Sequence, residues 1–194
     1  MKALEKRVLL ITGAPGTGKT TVLIRTVEAL RIDGYNVGGM VSREVRIEGN
    51  RVGFEILDLH TGKTGWLAHT NFKEGPRVGR YWVNMRDLDS IGAEAIEKAN
   101  ATGDVVAIDE IGPMELFSGK FEQAVRSAVE GGKLVIATIH CKAAHRLVNE
   151  VKTRWDAETF LVTPENRENI PSVVVGRAKE FLSRRKLDRG LNCE

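Results

Sequence analysis

The stretch Val8-Leu9-Leu10-Ile11-Thr12-Gly13-Ala14-Pro15-Gly16-Thr17-Gly18-Lys19-Thr20 decides how this chain is read. Val8 to Ile11 is wholly apolar, the pattern of a strand buried on both faces. From Thr20 to about Asp33, Leu23, Val27 and Leu30 recur at helical spacing, and Gly34 ends the helix. Between strand and helix, Gly13, Ala14, Pro15, Gly16, Thr17, Gly18, Lys19 and Thr20 satisfy G-x-x-x-x-G-K-[ST] in full. Glycines let the backbone curl so that successive N–H groups point at phosphate oxygens. The helix that follows offers the positive end of its dipole to the same anion. Lys19 supplies a mobile positive charge for the β- and γ-phosphates, and the Thr20 hydroxyl is suited to ligate Mg²⁺. A glycine-containing turn matches this pattern by chance in roughly one per cent of chains of this length, or fewer. The flanking strand and helix make chance the poorer explanation. The expectation is a P-loop that binds ATP or GTP with Mg²⁺.

A second element lies downstream. Val105, Val106, Ala107 and Ile108 form another buried strand, ending at Asp109, with Glu110, Ile111 and Gly112 after it. An acidic residue at the C-terminal end of a parallel strand sits where α/β sheets bind ligands. Asp109 is therefore expected to be the Walker-B carboxylate, holding Mg²⁺ largely through its water shell, and Val105 to Gly112 to border the nucleotide. In one large division of P-loop enzymes, the acid directly after that Asp polarises the attacking water. A base so placed contributes about 10²–10⁴ in rate. A surface carboxylate in an ordinary salt bridge is the plain alternative for Glu110. With the P-loop upstream, the catalytic role is preferred, beside Lys19, and the expected reaction is hydrolysis. Thr138 and His140, near the end of the run Leu134–Ile139, fall on one face by alternation. Either senses the γ-phosphate, or His140 is simply a satisfied, partly buried histidine.

Elsewhere the pattern is of one α/β unit. Asn36–Val45 and Arg51–Leu59 read as extended arms around a turn at Glu48-Gly49-Asn50, and Thr61-Gly62-Lys63 turns into Trp66-Leu67. Residues 71–80 form a polar, Gly/Pro-punctuated loop of lid-like composition. Helices follow at Leu88–Ala99, Phe121–Ala128, Ala144–Val151 and Val174–Leu182, with a short strand at Thr159–Val162. No repeat, low-complexity segment or linker interrupts the chain, so a single domain is expected over 1–186, followed by a polar tail at 187–194.

Composition narrows the function classes. The chain has 194 residues, 42% of them hydrophobic and 28% charged, which suits a globular domain with a sizeable core. The net charge of +3 is too small for a strong nucleic-acid footprint. The one dense basic run, Arg184-Arg185-Lys186, reads as a solvated helix end. Cys141 and Cys193 do not make a disulfide framework and are expected to be free thiols in a reducing compartment. Met1 to Arg7 is charged, and no apolar run approaches the length of a membrane span. The expected location is the cytoplasm. The expected partner is a nucleoside triphosphate, with no membrane, no nucleic acid and no obligate protein partner.

The string Asp109-Glu110-Ile111-Gly112-Pro113-Met114-Glu115-Leu116-Phe117 resembles the signature of the small stand-alone nucleoside triphosphatases first described from thermophiles, the group that includes cancer-related nucleoside-triphosphatase. Gly39–Arg46, Gly53-Phe54-Glu55, Val78-Gly79-Arg80-Tyr81, Phe121 with Gln123-Ala124-Val125-Arg126, Thr138-Ile139, and Thr163 with Glu165-Asn166-Arg167 match in order. The resemblance covers about residues 6–185. It implies a three-layer α/β P-loop NTPase fold, with a RecA-like, mostly parallel mixed sheet and a β-hairpin insertion. It also implies slow, base-tolerant hydrolysis of nucleoside triphosphates.

An arginine near the transferred phosphoryl group speeds such reactions. Among Arg43, Arg46, Arg77, Arg80, Arg126 and Arg167, the expected candidates are Arg46 and Arg80. Asn166-Arg167 either borders the base or fixes the loop after the last strand, the latter being preferred. No Asn-Lys-x-Asp string is present to read a base. The competing reading is a small nucleotide or nucleoside kinase, against which Glu110 stands, since a kinase must keep water off the γ-phosphate. A third is a nucleotide-dependent switch or nucleic-acid adaptor, which the modest charge disfavours.

Overall fold

The computed structural model describes residues 5–191. The chain runs β1 (Val8–Thr12), α1 (Lys19–Ile32), β2 (Val37–Ile47), β3 (Asn50–Asp58), β4 (Thr64–His69), β5 (Arg77–Val78), β6 (Tyr81–Val83) and α2 (Met85–Asp87). A π turn (Leu88–Ala93) joins α2 to α3 (Glu94–Thr102), followed by β7 (Val105–Ile111), a 3-10 turn (Glu115–Phe117) and α4 (Gly119–Glu130). The last elements are β8 (Leu134–Ile139), α5 (Arg146–Lys152), β9 (Ala157–Leu161) and α6 (Ile170–Leu191).

Alternation along the apolar strands sorts their side chains between two cores. Val8 and Leu10 of β1, Val106 and Ile108 of β7, and Val135 and Ala137 of β8 pack with Ile96 of α3, Phe121 of α4 and Leu147 of α5. Leu9 and Ile11, Val105 and Ala107, and Leu134 and Ile136 pack on the other face with Leu23 of α1 and Val174 of α6. The result is three layers, helices on both faces of one sheet, as the unbroken apolar runs require. Leu9, Leu10 and Ile11 are all fully buried, and each such side chain contributes about 1.5–3 kcal/mol of burial.

The nine strands lie in the order β5-β6-β4-β3-β2-β7-β8-β1-β9. Strands β2, β7, β8, β1 and β9 pair in parallel, and β3, β4, β6 and β5 extend the β2 side antiparallel. The sheet is mixed and mostly parallel where it carries the helices, with the hairpin β2–β3 at the expected turn.

Several boundaries differ from the sequence reading; β9, for one, spans Ala157–Leu161 and not Thr159–Val162. β7 continues past Asp109 to Ile111, through a register shift between Ile108 and Ile111. Residues 71–80 are not wholly loop: Arg77–Val78 pairs with β6, because Val78, Tyr81 and Val83 supply apolar residues for a short edge hairpin. Ala144 precedes α5, whose N-cap is His145, its ring Nδ1 accepting from the Leu147 N–H at 3.2 Å. Finally, α6 runs through Leu191, so the tail boundary at 187 falls inside a helix. Arg185 to Arg189 contains only helix-compatible residues, and nothing in the sequence stops the helix before Gly190. Cys193 lies outside the described residues.

Candidate active site

The P-loop leaves β1 where that strand is tied to both neighbours. Thr12 Oγ1 donates to Ile139 O of β8 at 3.0 Å, and Val162 N donates to Thr12 O at 2.7 Å just after β9. The next residue must be glycine. A Cβ on Gly13 would stand 2.5 Å from Val162 O. Thr17 closes the loop on itself, donating from N and Oγ1 to Ala14 O at 3.3 and 2.9 Å. Gly18 then takes φ 98° as the N-cap of α1, a left-handed conformation natural to glycine. No side chain caps that helix, so its first amides remain available to an anion. Lys19 folds back across the loop, its Nζ 3.3 Å from Gly13 O and 3.4 Å from Ala14 O.

Asp109 meets this helix end. Its place in the alternation, with Val105 and Ala107, turns it to the face that α1 covers. It is 1% exposed and accepts from Thr20 Oγ1 at 2.9 Å, Thr138 Oγ1 at 2.5 Å and Ser42 Oγ at 3.2 Å. Burial pushes its pKa up, and the Thr138, Thr20 and Ser42 donors pull the other way. Thr138 is thus engaged with Asp109, and Thr20 and Asp109 form a pair of hard oxygen donors that suits Mg²⁺. Among the described residues no group of three or more His, Cys, Asp or Glu could hold a metal ion, so an ion here needs oxygens from phosphate and water as well.

Glu110 is placed differently. Its Oε1 atom is buried, has no hydrogen-bond partner, and lies 4.0 Å from Lys19 Nζ. Burial raises its pKa most, Lys19 pulls it down, and Asp109 pushes it up. A buried carboxylate oxygen without a donor is costly unless something else comes to it. His140 is close enough to Lys19 to feel its charge. Burial first, then Lys19 and Lys152, lower the pKa of its ring, which accepts from the Lys142 N–H at 3.3 Å.

Two residues of this cluster escaped the sequence reading. Ser42 is the first polar residue after the buried run Val37–Val41, at the carboxyl end of a parallel strand beside β7. That position was the available signal. Glu115 is 5% exposed within an otherwise apolar turn, Met114 to Phe117. A Cβ on Gly112 would stand 3.1 Å from Glu115 Oε2 and 3.4 Å from Glu110 Cδ, so the two carboxyl groups face one spot. Burial first, then Glu110 and Asp109, push the Glu115 carboxyl up to about 8.

The arginines divide. Arg46 is held at the hairpin by Glu44 and Gly49 O, both 2.9 Å away. Arg80 donates to Tyr81 Oη at 3.2 Å and to Arg51 O at 2.6 Å. Arg126 bridges Glu122 and Glu150, and Arg77 donates to Gly79 O. Each is tied to its own surroundings. Arg167 lies against the P-loop: a Cβ on Gly18 would stand 3.7 Å from Arg167 Cδ. Asn166 fixes its loop, accepting from Thr163 N at 2.8 Å and donating to Leu161 O at 2.9 Å.

A family profile described as NTPase matches residues 8–175, nearly the whole of the sheet and both nucleotide motifs. The chain belongs to this NTPase family. Other members include the nucleoside-triphosphatase THEP1 of Thermofilum pendens, 43% identical over 176 residues, spanning 90% of this chain and 97% of that one. The crystal structure of THEP1 from the hyperthermophile Aquifex aeolicus superposes with a TM-score of 0.79 at 35% identity, over 87% of this chain and 97% of that one. The solution structure of a human cancer-related nucleoside triphosphatase gives 0.77 at 34% identity, over 90% and 98%. The P-loop fold and the NTPase membership implied by the Asp109–Phe117 signature are therefore shown. Among the described residues no helix is long and apolar enough to cross a membrane.

Proposed function

We propose that this chain hydrolyses ATP, GTP and other nucleoside triphosphates to the diphosphate and phosphate, with Mg²⁺ and with Glu110 as the base. The observation that carries this reading is the unpartnered, buried Oε1 of Glu110, 4.0 Å from the P-loop lysine. The nucleoside-triphosphatases of T. pendens and Methanosarcina acetivorans, its relatives, support the hydrolysis of nucleoside triphosphates.

Residues 13–20 and the uncapped start of α1 bind the triphosphate through backbone amides, and Lys19 swings from Gly13 O and Ala14 O to the β- and γ-phosphates. Thr20 and Asp109 would hold Mg²⁺, which supplies neutralising charge on the β- and γ-oxygens. Ser42 and Thr138 keep Asp109 oriented toward Thr20. Glu110 accepts a proton from water as the water oxygen bonds to the γ-phosphorus. The bridging P–O bond breaks, its electron pair leaves on the β-phosphate, and the products are the nucleoside diphosphate and inorganic phosphate. Cys141 has no disulfide partner among the described residues, and we assign the reaction to the cytoplasm.

Steady-state phosphate release across ATP, GTP, CTP and UTP, with and without Mg²⁺, tests this directly. Release from each nucleotide only with Mg²⁺ is expected. Failure to bind Mg-nucleotide at millimolar concentration would sink the reading. In the presence of a nucleoside and nucleotide panel, a phosphorylated acceptor formed faster than free phosphate would make the chain a kinase instead.

A further inference from the structure

The sheet order fixes which way a nucleotide must lie. β7, carrying Asp109 and Glu110, stands on the β8 side of β1, and β9 stands on the other. The γ-phosphate belongs beside Glu110. The triphosphate chain therefore runs along the P-loop away from β7, and the nucleoside emerges over the loop that follows β9. That loop is built against the P-loop: Val162 N donates to Thr12 O at 2.7 Å, and Val162 O leaves no room for a Cβ on Gly13. Arg167, further along that loop, lies against Gly18. Together with Thr21, Val22, Arg25 and Glu168 they line a cleft of about 80 Å³. That volume holds an edge of a nucleoside and leaves the rest in solvent.

We infer that Arg167 stacks its guanidinium on the nucleobase, and that this enzyme grips the base by its flat face and not by its hydrogen-bonding edge; the inference rests on the nucleotide reading given above. Three observations converge. The Arg167 side chain is 50% exposed, and its Nε faces Glu168 at 3.6 Å, a carboxylate that Arg25 shares at 2.5 Å. One exposed carboxylate thus serves two arginines and half of the Arg167 side chain stays open to solvent, and a planar cation can lie flat on an aromatic ring as an ammonium cannot. Asn166, the adjacent side chain best able to read a base edge, has its amide oxygen committed to Thr163 N and its amide nitrogen to Leu161 O. A Cβ on Gly18 would stand 3.7 Å from Arg167 Cδ, so the bare glycine lets the Arg167 side chain lie close to the P-loop. Every base has a π face, so a platform of this kind tolerates all of them.

The test compares wild type, Arg167→Ala and Arg167→Lys, using KM and kcat for ATP, GTP, CTP and UTP and the inhibition constant of magnesium tripolyphosphate. Arg167→Ala is expected to raise the four KM values by about three- to thirty-fold, with kcat within about twofold. Tripolyphosphate, which has no base, is expected to inhibit both proteins equally. Arg167→Lys keeps the charge and loses the plane, and is expected to behave as the alanine variant. A matching rise in the tripolyphosphate constant, or rescue by lysine, would make Arg167 a phosphate ligand and overturn the inference. Unchanged KM values would place the base elsewhere. A wild-type protein that binds neither ATP nor tripolyphosphate would instead refute the nucleotide reading itself.

Discussion

Thr138 Oγ1 donates to Asp109 Oδ1 at 2.5 Å, joining two neighbouring parallel strands through a carboxylate that is 1% exposed. Hydrogen bonds to ionised groups are the strong ones, and losing a donor to a buried carboxylate is correspondingly costly. Thr138→Val keeps the shape and removes the donor. We expect a stability loss of about 1–3 kcal/mol, and a several-fold higher Mg²⁺ concentration for half-maximal phosphate release. Thr138→Ser is expected to restore both. An unchanged Mg²⁺ dependence would mean that the hydroxyl has no part in presenting Asp109.

Glu110→Gln keeps the volume at the site and removes the proton acceptor. Turnover is expected to fall at least about tenfold, and as much as 10²–10⁴, while Mg-nucleotide affinity is kept. Fluorescence titration with a labelled nucleotide separates the two quantities. Turnover equal to wild type removes Glu110 as the base.

Lys19→Ala and Gly13→Ala attack the same loop by different routes. Lys19→Ala removes a charge that rests on Gly13 O and Ala14 O, so affinity for Mg-nucleotide falls while the thermal midpoint stays close to wild type. Gly13→Ala drives a methyl group toward Val162 O, where 2.5 Å is available, so the chain must move between β1 and β9 and both affinity and thermal midpoint fall. A Gly13→Ala protein with wild-type melting would contradict the close approach.

Glu115 gives a pH signature. Its carboxyl sits at about 8 in the folded chain against an ordinary 4.5, so the folded state holds a proton that the unfolded state releases. Stability from this group is complete below about 4.5, declines as pH rises, and is lost once pH passes about 8. The slope in that window is at most about 1.4 kcal/mol per pH unit. Glu115→Gln, measured by urea unfolding in metal-free buffer, is expected to flatten it. A decline as steep as wild type would assign the pH dependence to another group.

What the sequence made legible was whatever is contiguous along the chain. The P-loop needs only a strand, eight residues and a helix in succession, and Asp109-Glu110 announces itself at the end of an apolar run. The hairpin turn at Glu48-Gly49 was equally local. Ser42 reaches Asp109 across a strand pairing that no spacing rule reveals, and Glu115 acquires its pKa only from burial beside Glu110. Arg46 and Arg80 looked suitable because arginine is suited to phosphate, yet each is held within the antiparallel extension. Arg167 reads as an ordinary loop residue until β9 is seen beside β1. The end of α6 was missed because a polar helix lacks the periodic apolar marks that betray buried ones.

The position of β1 between β8 and β9 also sets an order of events during synthesis. Val8 is synthesised before its ladder partners Val135 and Ala157, which lie far along the chain from it. Pairings this distant are slow to form and leave an apolar strand waiting without a mate. The P-loop segment thus precedes both of the strands that frame it, so its surroundings are completed only once β9 has been made.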